Sequence, residues 1–120
     1  MTTMTVKLNK IAFDHAKSLI GKSQTVRDER DDWSEHAPTA KQENSYLDKH
    51  GWSEYGQWHL GVDTEMGDET KGHYKFPYGD FHRVHRCGLI SAESRAAQNH
   101  YDDITEAIAE LHELLDGDHA

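Results

Sequence analysis

Apolar residues recur every third or fourth position in two stretches near the C-terminus, and this spacing predicts a helical hairpin. Phe81, Val84, Gly88, Leu89, Ala92 and Ala96 form one stripe; Ile104, Ala107, Ile108, Leu111, Leu114 and Leu115 form the other. Pro77 and Gly79 punctuate the chain just upstream. The first helix is therefore expected to begin at Phe81, capped by Asp80, and to carry His82-Arg83-Val84-His85-Arg86. Gly88 weakens such a helix by about 1 kcal/mol relative to Ala, which suggests that another backbone must approach there. Asn99 or His100 breaks the helix. Asp103 with Glu106 then has the spacing of a capping box, the acid also favoured by the helix dipole, and Gly117 closes the element.

Upstream, Leu8, Ile11, Ala12, Ala16, Leu19 and Ile20 have helical spacing, with Asn9 as N-cap and Gly21 where a left-handed C-cap belongs. Thr39 and Gln42 open a second helix from Ala40 to about Lys49 that buries Tyr46 and Leu47 and stops at Gly51. Trp52, Tyr55 and Trp58 fit a further helical turn, followed by a short strand around Leu60 and another at His73-Tyr74-Lys75-Phe76. Gln24-Thr25-Val26 adds a possible third strand. The expected fold is α+β and mainly α. It has about four helices, a C-terminal antiparallel helical hairpin packed on the first helix, and a minor two- or three-stranded sheet from Val26, Leu60 and Phe76. Residues 1–7 are expected to be frayed, 8–116 to form a single globular domain and 117–120 a tail.

Composition adjusts this picture in two ways. Only 35% of the 120 residues are hydrophobic and mean hydropathy is -0.92, so the three Trp, five Tyr and three Phe must supply much of the buried area. The net charge of -9 is unevenly placed: residues 28–70 hold twelve acids against three bases, and residues 96–120 hold seven acids and no Lys or Arg. An acidic chain repels nucleic acid at long range and favours a protein partner of basic character. No apolar run approaches the ~20 residues of a membrane span, and the N-terminus lacks the apolar core of a secretion signal. A single cysteine, Cys87, excludes an internal disulfide and makes a reducing cytoplasm the simplest setting.

Several strings carry a resemblance. Trp33-Ser34-Glu35-His36, His50-Gly51-Trp52, Tyr55-Gly56-x-Trp58-His59-Leu60-Gly61, Lys75-Phe76-Pro77-Tyr78-Gly79-Asp80-Phe81, Val84-His85-Arg86-x-Gly88-Leu89-Ile90 and Ser94-Arg95-Ala96-x-Gln98 resemble a family of small uncharacterised bacterial proteins. The Pro-Gly turn and the Arg95-Ala96 helix are also similar to segments of phage and prophage proteins of unassigned role. The resemblance spans most of residues 8–116 and implies a stand-alone domain without an established activity.

The chemistry-bearing residues give four candidates. His82-x-x-His85-x-Cys87 offers two imidazoles on one helical face and a nearby sulfur, a start for zinc that needs a further ligand such as His59, His73 or His100. A Cys87–His85 nucleophile pair, with Asp80, is disfavoured because nearby side chains diverge on a helix; no phosphate loop, dinucleotide motif or His-Glu-x-x-His is present either. The groove between residues 52–62 and 74–86 collects Trp52, Tyr55, Trp58, His59, Tyr78, Arg83 and Arg86, the residue types that dominate protein interfaces. Lys75, Arg83, Arg86 and Arg95 beside Tyr74, Tyr78 and Phe81 also resemble a single-strand binding face, although pairing with the acids of 102–118 accounts for them more simply. Lastly, Asp102, Asp103, Glu106, Glu110, Glu113 and Asp116 give the final helix an acidic face. These readings favour a non-enzymatic protein-interaction module. The alternatives are a nucleic-acid mimic that inhibits a basic nucleic-acid-binding protein, a weak nucleic-acid binder, and a zinc protein.

Overall fold

The computed structural model describes residues 6–28, 32–67 and 69–117, with Ser34 and His36 described by backbone alone. The expected tail, residues 117–120, lies outside this range apart from Gly117. The fold is α+β. In chain order it runs β1 (Val6–Leu8), α1 (Lys10–Gly21), β2 (Thr25–Val26), the single turn α2 (Trp33–His36), α3 (Ala40–Gly56), β3 (His59–Asp63), β4 (Tyr74–Pro77), β5 (Val84–His85), α4 (Arg86–Gln98) and α5 (Asp102–Gly117).

Helices follow the apolar stripes, but Ile11 is 67% exposed. Helix α1 buries Ala12, Ala16, Leu19 and Ile20, and α5 buries Ile104, Ala107, Ile108, Leu111 and Leu115 while Leu114 faces solvent. The hairpin of α4 and α5 turns at His100, whose φ of 60° ends the first helix, and α1 packs on α5. Thr39 and Gln42 form the complete capping box on α3. Gly51, at φ 82° and ψ 176°, breaks the helical backbone where expected, and a second helical stretch follows as far as Gly56 within α3. Tyr46 and Leu47 are half-buried rather than core. Gly21 is not left-handed; α1 runs through it, and Ser23 takes the positive φ of 59° instead.

The strands differ more from expectation. Val6 and Lys7 are paired rather than frayed, while residues 1–5 lie outside the described range: β1 runs antiparallel to β3 with Lys7 opposite Val62, and β3 pairs antiparallel with β4, Gly61 opposite Lys75. The Asn9 side chain donates to the carbonyls of Gly56 (2.9 Å) and His59 (3.0 Å), tying β1 to the end of α3. Asp103 accepts from the Leu8 backbone N–H at 3.1 Å instead of closing a capping box. Val26 belongs to a separate parallel pair, with Thr25 opposite Val84 and Val26 opposite His85.

The largest correction concerns residues 81–85. Phe81 has φ 69°, a left-handed conformation in which no helix can begin. The chain bends there, forms β5, and enters α4 only at Arg86. Asp80 still does a cap's work without a helix, its Oδ1 accepting from the N–H groups of His82 (2.9 Å) and Arg83 (2.7 Å). Gly88 meets its expected use, since a Cβ there would lie 2.8 Å from the Tyr78 carbonyl oxygen.

Candidate functional site

Parallel pairing of β2 with β5 brings together three residues far apart in sequence. Asp28 follows β2 by two positions, His85 ends β5, and Cys87 stands in the first turn of α4. His85 Nδ1 is 2.7 Å from Asp28 Oδ2, and its Nε2 is 2.8 Å from Asp80 Oδ2. The Cys87 backbone N–H donates to Asp28 Oδ1 at 2.8 Å. Exposure falls to 8% at Asp28, 5% at His85 and 0% at Cys87. The Trp33 ring lies 5.9 Å from that of His85, tilted by 53°.

This environment sets the charges. Burial opposes a charge on His85, but the hydrogen bonds and charges of Asp80 and Asp28 outweigh it and raise its pKa. Burial also pushes against ionised Asp80, yet His85 and the two backbone N–H groups hold its carboxyl well below the usual carboxylate range. At Cys87, burial, then the hydrogen bond and charge of Asp28, push the thiol far up. Both ring nitrogens of His85 face carboxylates and the thiol keeps its proton, so the group lacks the free base and thiolate of a nucleophile pair. It can hold the bend 80–85 against β2. It could also hold a metal ion, because donor atoms of Asp28, His85 and Cys87 all lie within 4.8 Å of one another.

Above this group opens a cleft of about 600 Å³ between α3 and the bend. Asp80 and His85 contribute to its floor, Phe81 and His82 to one side, and Lys41, Tyr46, Lys49 and His50 to the other. Tyr46 lies between stacked rings, 4.3 Å from Phe81 and 4.3 Å from His50. Its hydroxyl accepts from Trp58 Nε1 at 3.2 Å. Phe81 combines this stacking with its strained φ of 69°, and backbone strain of this kind concentrates at functional sites. Lys41 and Lys49 form no ion pair among the described residues, whereas Lys71 pairs with Glu43 and Lys17 with Glu110.

The residues singled out in the sequence are placed very differently. Tyr55, Trp58, His59 and Tyr78 are core residues. Trp58 stacks on Tyr78 at 5.6 Å, the Tyr78 hydroxyl donates to the Gln57 carbonyl at 2.7 Å, and His59 Nδ1 donates to the Tyr55 carbonyl at 3.0 Å. Trp52 is half-buried against Tyr55 and Tyr74. The groove expected between 52–62 and 74–86 is thus filled by its own rings. Arg86 pairs with Asp116 at 3.0 Å, as the simpler reading of the arginines anticipates, and Arg83 is exposed. His82 is exposed and stands outside the metal-competent group, because β5 replaces the helix that would have set it beside His85.

The acidic face of α5 is partly consumed from within, with Asp103 bound to β1, Glu110 to Lys17 and Asp116 to Arg86. Asp28, Lys41 and Lys49 escaped sequence reasoning. Asp28 lies in a charge-dense run where every acid looks alike, and the two lysines stand eight residues apart on a helix, a spacing read as solvated surface.

No helix among the described residues is long and apolar enough to cross a membrane. Comparison with known proteins gives no matching family model, no matching curated protein and no matching solved structure.

Proposed function

We propose that the protein is a non-enzymatic interaction module, and that the cleft between α3 and residues 80–85 receives an acidic segment of a protein partner. The observation that supports this most is the pair of cations Lys41 and Lys49, unpartnered among the described residues, lining one wall of a cleft in a chain of net charge -9. In a protein with 22 acids against 13 bases, an unneutralised basic wall is unusual. The one acid on the cleft floor, Asp80, is already occupied by His85 and two backbone N–H groups. The stacked rings of His50, Tyr46 and Phe81 add the aromatic surface on which peptide side chains gain contact area.

This reading reverses the charge expected of the partner. A basic partner would dock on α5, where three of the acids already have internal partners, and the nucleic-acid mimic draws on the same face. Weak nucleic-acid binding through Lys75, Arg83, Arg86 and Arg95 loses Arg86 to Asp116. Zinc, in this reading, is a structural ion beneath the cleft and does not meet the ligand. The setting is cytoplasmic and the phage-like resemblance fits a small module acting on a host protein.

A fluorescently labelled Asp/Glu-rich peptide tests the proposal by anisotropy. Binding at low salt is expected, weakening as salt screens the contact. The double variant Lys41→Glu/Lys49→Glu should lower affinity about tenfold or more, which corresponds to at least about 1.4 kcal/mol. A Lys- and Arg-rich peptide that binds wild type better than the acidic one would overturn the assignment.

A further inference from the structure

We infer that Asp28, His85 and Cys87 form a structural zinc site, with Asp80 as the positioning residue for its histidine. The donor set is mixed carboxylate, imidazole and sulfur, which suits a borderline divalent transition cation better than calcium or magnesium, whose ligands are all oxygens. The donor atoms lie within 4.8 Å of one another, and a tetrahedral ion with bonds of about 2.0–2.3 Å needs donors roughly 3.3–3.8 Å apart. His85 Nδ1 and Asp28 Oδ2, at 2.7 Å, would separate by a few tenths of an ångström to admit the ion.

The surroundings of the three residues supply a second, independent observation. Metal-bound histidines commonly donate their other ring N–H to a carboxylate, which fixes the ring and increases its basicity. His85 shows this pattern: Nε2 points at Asp80 Oδ2, 2.8 Å away, while Nδ1 faces the Asp28 and Cys87 side. Asp80 is in turn fixed by the N–H groups of His82 and Arg83, and Asp28 Oδ1 by the Cys87 N–H. The ligands are therefore oriented before any ion arrives. On binding, Cys87 coordinates as thiolate and His85 through unprotonated Nδ1, the displaced protons passing to solvent. The ion joins the end of β2, the bend before β5 and the start of α4, three segments otherwise connected by two-residue strands.

Cobalt serves as the spectroscopic probe. Chelator-treated full-length protein titrated with Co²⁺ should develop a thiolate-to-metal charge-transfer band that saturates at one equivalent and is abolished by Zn²⁺. Asp28→Asn should weaken Co²⁺ binding, and Asp80→Asn should do so by about tenfold or more, whereas His82→Ala should leave it unchanged. Thermal unfolding of wild type should rise with added Zn²⁺. Absence of the band at millimolar Co²⁺ in folded wild type overturns the site without recourse to any variant. So does a band that persists at full affinity in folded Asp28→Asn, or one that depends on His82.

Discussion

His59 illustrates how much a single side chain is governed by the packing around it. It is 3% exposed, and burial, only partly offset by its bond to the Tyr55 carbonyl, lowers its pKa from 6.5 to about 4. The folded state thus binds fewer protons than the unfolded chain between these values, so stability is full above pH 6.5 and is lost as pH falls towards 4. The loss should reach about 3 kcal/mol, measured by urea unfolding across that range, and His59→Gln should remove most of this slope. An unchanged slope in that variant would reassign it to other groups. Asn9→Ala should cost about 1–3 kcal/mol, because it strips two carbonyls of a partly buried donor. Neither role is visible in the sequence, where Asn9 looks like a helix cap and His59 like part of a surface. His85 and Cys87 do stand out in the sequence, on a helical spacing that the structure lacks. Their actual partner, Asp28, lies 57 residues from His85, and no local pattern encodes a contact of that range.

Elements were legible in proportion to their periodicity. The stripes of α1, α4 and α5 specify helices through several turns of consistent apolar spacing, and the capping box fixes the start of α3. Strands β1, β2 and β5, of two or three residues each, are too short to show an alternation and are selected by the partners they meet. The bend 80–83 defeats the helical reading of residues 81–85 because Phe81 is held left-handed by tertiary contacts, including its stack on Tyr46. Gly88 gives a test at this scale. Helix propensity alone predicts that Gly88→Ala stabilises α4 by about 1 kcal/mol. The Tyr78 carbonyl at 2.8 Å from the added Cβ reverses the sign, and a net loss of about 1–3 kcal/mol is expected from overpacking against backbone. Stabilisation measured by thermal melting would show that this approach is not rigid.

At the scale of the whole molecule, α1 packs on α5 and against β3, while α3 and the bend 80–85 line the cleft. The core was legible as a set of residues, because the same stripes that make helices must be buried. The cleft was not, because it arises where two segments some forty residues apart face each other across a sheet edge and a bend. Its basic wall is legible only against the acidity of the whole chain: Lys41 and Lys49 lie within the twelve-acid stretch 28–70, yet both line the cleft. Either this basic wall or the acidic face of α5 meets the partner. The direct measurement is an NMR titration of isotope-labelled protein with an acidic peptide and, separately, a basic one. Amide shifts confined to Lys41–His50 and residues 80–85 with the acidic peptide are the predicted result. Shifts along α5 with the basic peptide, and none at the cleft with the acidic one, would contradict it.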